Sequence, residues 1–155
     1  MKVAFTLNGT PTEVDVRADE MLLDVLRDRL GCTSVRQTCG VGVCGSCTIL
    51  IDDEPISSCI LLAPLAQSRS ITTIEGLGGD HPVQHAFVEA HAFQCGYCTP
   101  AMILTVKSLL EENPHPIDAE IDAALGGNLC RCGCYVKIRN AVHAAASDAA
   151  GGAET

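Results

Sequence analysis

Apolar and polar positions divide the chain into a strand-patterned half and a helix-patterned half. Residues 2–7 alternate around Val3, Phe5 and Leu7. Asn8-Gly9 then gives a type I′ hairpin signal, and Val14 and Val16 continue the alternation. Leu22, Leu23, Leu26 and Leu30 recur at helical spacing behind Asp19-Glu20, with Gly31 as the stop. The β-branched run Thr48 to Asp52 predicts a strand, turned by Asp53-Glu54-Pro55. The apolar run from Cys59 to Ala66 predicts one or two helical turns, and Ser70 to Ile74 another strand. This order predicts a mixed sheet gripping one helix.

Gly76-Leu77-Gly78-Gly79-Asp80 has linker composition, and helical patterning follows it. Pro82 marks a helix start, with Val83, Ala86, Phe87 and Ala90 on one face. Thr99 is the expected cap of an apolar helix over Ala101 to Leu110, ended by Asn113-Pro114. Ile117 to Leu125 predicts a shorter helix closed by Gly126-Gly127. Val136, Ile138, Ala141, Val142 and Ala145 mark the last one, and residues 151–155 are expected to fray. The fold class is therefore α+β, with a sheet domain over residues 1–76 and a four-helix domain over residues 77–155.

The chain is 47% hydrophobic but 3% aromatic, so its cores must be aliphatic and alanine-rich. A net charge of −9 argues against nucleic acid, whose phosphates need clustered Lys and Arg. Residues 1–9 show no apolar signal region, and no run reaches the length of a membrane span. The sequence is read as cytoplasmic, where many cysteines more often bind metal than form disulfides.

There are ten cysteines. Cys39, Cys44 and Cys47 are spaced C-x4-C-x2-C, with Cys59 further on, which is the plant-type ferredoxin spacing for a 2Fe–2S cluster. Gly40, Gly42 and Gly45 interleave with them and let backbone N–H groups approach the sulfurs. A C-x2-C pair alone is also compatible with zinc or a redox dithiol, and the full set is far more specific. The same glycines match G-x-G-x-x-G, but a helical stretch precedes them and a β-rich run follows, the reverse of a dinucleotide fingerprint. In the second half Cys95-Gly96-Tyr97-Cys98 and Cys130-Arg131-Cys132 fall in two interhelical loops. By spacing alone these four thiols fit either an iron–sulfur or a zinc site, though C-x-C is unusual for zinc.

Together, the Cys39–Cys59 set, Gln94 to Pro100 and Gly127 to Cys132 resemble the small iron–sulfur subunit of the xanthine oxidase family of molybdenum hydroxylases. The resemblance covers nearly the whole chain. It implies a ferredoxin-like β-grasp domain followed by a four-helix 2Fe–2S domain, with two 2Fe–2S clusters. Cys39, Cys44, Cys47 and Cys59 would hold one, and Cys95, Cys98, Cys130 and Cys132 the other. It implies a large partner carrying molybdenum–pterin and substrate, and a medium FAD subunit or a cytochrome, in a heterotrimer or its dimer. Electrons would pass from the pterin through the C-terminal cluster and then the N-terminal one. Gln94 and Cys132 match the positions that contact the pterin. No catalytic residue and no substrate site falls on this chain, and the competing reading is a free-standing two-cluster ferredoxin.

Two cysteines remain. Cys32 is expected to be a small buried residue. Cys134 falls in a Cys132-Gly133-Cys134-Tyr135 run that departs from the family's usual C-R-C-T-G-Y and is expected to pack rather than ligate. His81, His85 and His91 lack the third ligand and glutamate base of a zinc site, and Arg131 reads as an ion-pairing residue.

Overall fold

The computed structural model describes residues 1–151. Residues 152–155, most of the tail expected to fray, lie outside the described residues. Strands β1 (Lys2–Leu7), β2 (Thr10–Asp15), β3 (Thr48–Ile51), β4 (Glu54–Ser57) and β5 (Ser70–Thr72) form one mixed sheet in the order β2-β1-β5-β3-β4. β1 and β2 make the predicted antiparallel hairpin, and β1 runs parallel to β5. Asn8 at its turn has φ 50° and Gly9 φ 78°, the pair of positive angles that a type I′ turn requires.

The turn expected at residues 53–55 lies one residue earlier. Asp52 and Asp53 carry φ of 50° and 68°, and Glu54-Pro55 begins β4, paired antiparallel with β3. Pro55 is tolerated there because β4 is an edge strand, with neighbours on one side only. The expected helix over residues 22–30 is α-helical only over Leu22–Asp24 (α1) and continues as a π-helical turn, Val25–Arg29. That widened turn puts Val25 inside with Leu22, Leu23 and Leu26, against the inner face of the sheet (Val3, Phe5, Ile49 and Ile71). The Cys59–Ala66 run folds as two short 3-10 turns, Ser58–Ile60 and Ala63–Ala66, as expected.

Helices α2 (Pro82–Glu89), α3 (Thr99–Glu112), α4 (Asp118–Leu125) and α5 (Tyr135–Gly151) build the second half around Phe87, Met102, Ile121 and Ile138. His81 caps α2: its Nδ1 accepts the Val83 N–H at 3.2 Å, and Pro82 takes the first helical position. His85 pairs with Asp80 at 2.7 Å. Cys98, not Thr99, is the N-cap of α3, and the buried Thr99 hydroxyl has no hydrogen-bond partner among the described residues. The linker-like stretch is partly ordered. Ile74–Leu77 forms a 3-10 turn, and Ile74 and Leu77 pack on the helical core. Among the described residues no helix is long and apolar enough to cross a membrane.

Candidate metal centres

Three cysteines of the first set, Cys39, Cys44 and Cys47, lie between the π-helical turn and β3, in a loop that has no regular hydrogen-bond ladder of its own. Its backbone points N–H groups at sulfur instead. The Cys39 Sγ accepts from the N–H groups of Val41 (3.5 Å), Val43 (3.4 Å) and Cys44 (3.4 Å). Led by the Val41 N–H, these donors bring the Cys39 thiol down to about 6. Gly40, Gly42 and Gly45 all have positive φ, and Gly42 is pressed against Ile60. Cys59 enters from the first 3-10 turn. Burial, then its contact with Cys47, pushes its thiol up to about 11.

The second set joins the α2–α3 loop to the α4–α5 loop. The Tyr97 N–H, then the Cys132 thiol, lowers Cys95. Burial, then Cys130, pushes Cys98 up to about 12. At Cys130 burial acts upward, but the N–H of Cys134, the Cys98 thiol and the N–H groups of Cys132 and Gly133 outweigh it. The Cys130 N–H itself donates to the Tyr135 hydroxyl at 2.8 Å. Gln94 Nε2 reaches the Cys132 carbonyl at 3.4 Å, so the two residues singled out for pterin contact sit together.

Within the eight candidates the thiol–thiol hydrogen bonds run pairwise, Cys39 with Cys44, Cys47 with Cys59, Cys95 with Cys132, and Cys98 with Cys130, and Cys134 also meets Cys130. Among the described residues no three His, Cys, Asp or Glu side chains close on one ion-sized point. Two pairs of thiols with aimed backbone N–H groups fit the donor set that a diiron core would need. Cys32 lies 5% exposed in the sheet-domain core. Cys134 is 4% exposed, with its thiol against Cys130.

The two sets meet at a seam that spacing did not reveal. The Leu129 N–H donates to the Cys44 carbonyl at 2.9 Å. Asn128, itself buried, donates to the Gly45 carbonyl at 3.0 Å. Arg36 lies over the Tyr97 ring at 4.8 Å, and the Tyr97 hydroxyl donates to the Gln37 carbonyl at 2.8 Å. A cavity of about 480 Å³ is lined by Cys44 and Ser46 of the first set and by Cys95, Cys98 and Cys130 of the second. The one sequence signal for this seam was Asn128, a polar residue two positions before a ligand candidate in an otherwise apolar-to-glycine stretch.

Comparison with known proteins agrees with this geometry. Residues 5–69 match the family described as 2Fe-2S iron-sulfur cluster binding domain, and residues 73–143 the 2Fe-2S binding domain. The nicotinate dehydrogenase small FeS subunit of Eubacterium barkeri is 46% identical over 90% of this chain and 91% of its own. The isoquinoline 1-oxidoreductase subunit alpha of Brevundimonas diminuta is 43% identical over 96% of this chain and 99% of its own. The crystal structure of quinoline 2-oxidoreductase from Pseudomonas putida 86 superposes with a TM-score of 0.92 at 43% identity, covering 98% of this chain and 97% of the matched one. With two 2Fe–2S domains in this order and relatives of this kind along its whole length, the chain belongs to the small iron–sulfur subunits of the xanthine oxidase family of molybdenum hydroxylases.

Proposed function

We propose that this chain is the electron-transfer subunit of a molybdenum-dependent hydroxylase or dehydrogenase. It carries electrons from a molybdenum–pterin site on a large partner to FAD or a cytochrome on another. Cys39, Cys44, Cys47 and Cys59 hold the N-terminal 2Fe–2S cluster, in a domain of residues 1–76. Cys95, Cys98, Cys130 and Cys132 hold the C-terminal one, in a domain of residues 77–155. The two separate cores support that division.

When bound, the clusters supply one-electron carriers whose potential depends on hydrogen bonds to sulfur and on burial. The chain's own residues set both. The N–H groups of Val41, Val43 and Cys44 favour negative charge at Cys39, while burial of Cys59 and partial burial of Cys98 disfavour it at those thiols. Gln94 and Cys132 stand at the outer edge of the second set, where a pterin on the large subunit would meet them.

The observation that carries the reading is the Leu129–Cys44 hydrogen bond, which ties the residue before Cys130 to a cysteine of the first set. The exposed apolar side chains of Val41, Val43 and Ile60 beside the first set favour a subunit over a free-standing ferredoxin, because a partner would cover them. The test is purification of the native complex with assay of its metals and subunits. The expected result is two distinct 2Fe–2S EPR signals and a co-purifying molybdenum–pterin chain. A colourless zinc protein, or a stable iron-loaded monomer with no partner, overturns the proposal.

A further inference from the structure

Asn128 is one of the few buried polar residues of the chain, 4% exposed, and its side chain spans the seam between the two cysteine sets. Its Nδ2 donates to the Gly45 carbonyl at 3.0 Å and approaches the Thr48 hydroxyl at 3.4 Å. Its Oδ1 lies 3.1 Å from the Thr105 hydroxyl on α3. The amide orientation follows from the partners. Gly45 offers only a carbonyl, so the Asn128 nitrogen must face it, and the Thr105 hydroxyl then donates to the oxygen. Gly45 follows Cys44 in the first set. Asn128 stands two residues before Cys130 in the second.

We infer that Asn128 is a positioning residue that fixes the separation and orientation of the two 2Fe–2S clusters. One short amide is held at three points, by Gly45, Thr48 and Thr105. It therefore pins the first cysteine loop to the α4–α5 loop and to the long helix α3. The neighbouring Leu129–Cys44 bond is a single contact that could hinge, and a buried amide satisfied on both sides removes that freedom. Inter-cluster electron transfer depends steeply on distance, so a fixed seam serves that step without Asn128 touching either cluster. The inference rests on the two-cluster reading above.

Asn128→Ala is expected to fold. Gly45 O keeps the Thr48 hydroxyl at 2.8 Å, and the Thr105 hydroxyl can turn its one proton to the Ala101 carbonyl, 3.1 Å away, so no buried partner is orphaned. The test is EPR of the intact complex, fully reduced and at low temperature, with iron content measured on the same samples. The native complex should show magnetic splitting of each cluster's signal by the other. Asn128→Ala should keep both signals and the native iron content but lose or broaden the splitting. Native-like splitting in Asn128→Ala at full iron content overturns the inference, as does a native complex with two signals and no splitting. If Asn128→Ala fails to load iron, Thr105→Val decides: broadened splitting supports the latch, and native splitting overturns it. Absence of both iron signals from the native complex is a different failure, that of the two-cluster reading itself.

Discussion

The backbone N–H of Leu129 donates to the carbonyl of Cys44 at 2.9 Å, which places two loops from opposite halves of the chain in direct contact beside their cysteines. Close approach at this point depends on Gly45. Its φ is +67°, and a Cβ there would overlap the Gly127 carbonyl and the Asn128 amide. Neither neighbour is the free end of a flexible side chain, so the seam must open.

Gly45→Ala is therefore predicted to destabilise the protein by more than left-handed strain alone, which is about 1–2 kcal/mol. Gly78→Ala is the control. It has nearly the same φ, +68°, and nothing within 4 Å of the added carbon. Urea unfolding of both variants in the iron-loaded state separates the two costs. Equal loss of stability would mean that the seam accommodates the methyl group.

The C-terminal cysteines give a sharper prediction. Cys130, Cys132 and Cys134 are close enough in sequence for two ligand assignments. Cys132 pairs with Cys95 across the loops and is partly exposed, while Cys134 is buried in the helical core against Cys130. Cys132→Ser should abolish the EPR signal of the C-terminal cluster or convert it. Cys134→Ser should keep the cluster and at most shift its potential. The opposite pattern would exchange the two assignments.

Much of this was legible in the sequence because it is local. The C-x4-C-x2-C loop, the Asn8-Gly9 hairpin and the proline at the start of α2 each follow from neighbouring residues. The misplaced features have physical causes. β4 carries no alternation, because Glu54, Pro55 and Ile56 are all exposed on an edge strand. The 3.6-residue period over residues 22–30 did not reveal that the backbone widens to a π-turn to bury Val25 as well. Thr99 has the composition of a cap, but the chain enters α3 through Cys98, held by its loop. The seam left only Asn128 as a trace in the sequence, for a different reason. The Asn128–Gly45 contact joins residues far apart in sequence, and no periodicity marks it.

A pH dependence follows from His81. Burial, then the positive charge of Lys107, holds its pKa below the usual 6.5, although Glu111 acts the other way. The cap also needs a neutral Nδ1, since that nitrogen accepts the Val83 N–H. The unfolded chain takes up a proton at the ordinary value and the folded one does so only at lower pH. The His81 contribution is thus complete above the unfolded value and is lost as pH falls below it. His81→Asn, which can cap without titrating, should flatten the stability profile over the range just below the ordinary histidine value of about 6.5. His81→Ala should cost about 0.5–2 kcal/mol at neutral pH. Chemical unfolding across that range reads both, and an unchanged slope in His81→Asn would assign the pH dependence to other groups.

Iron removal should unfold the chain rather than leave two folded apo-domains. Each half is near the size at which a hydrophobic core alone gives only about 3–5 kcal/mol. The tip of the first cysteine loop adds little packing of its own, because Val41 and Val43 are exposed and Gly40 and Gly42 sit at positive φ. Without metal, the N–H groups aimed at Cys39 face a neutral thiol or a thiolate that nothing neutralises, and the buried thiols of Cys59 and Cys98 resist ionisation. The binding energy of the metal centres is then folding energy. Chelation under reducing conditions, followed by circular dichroism, should show helical signal falling in step with bound iron. The helical domain offers the stricter test, since Phe87, Met102, Ile121 and Ile138 form an intact core around which α2 to α5 could persist. Full helical signal in an iron-free sample would show that this core suffices and that the clusters contribute only to function.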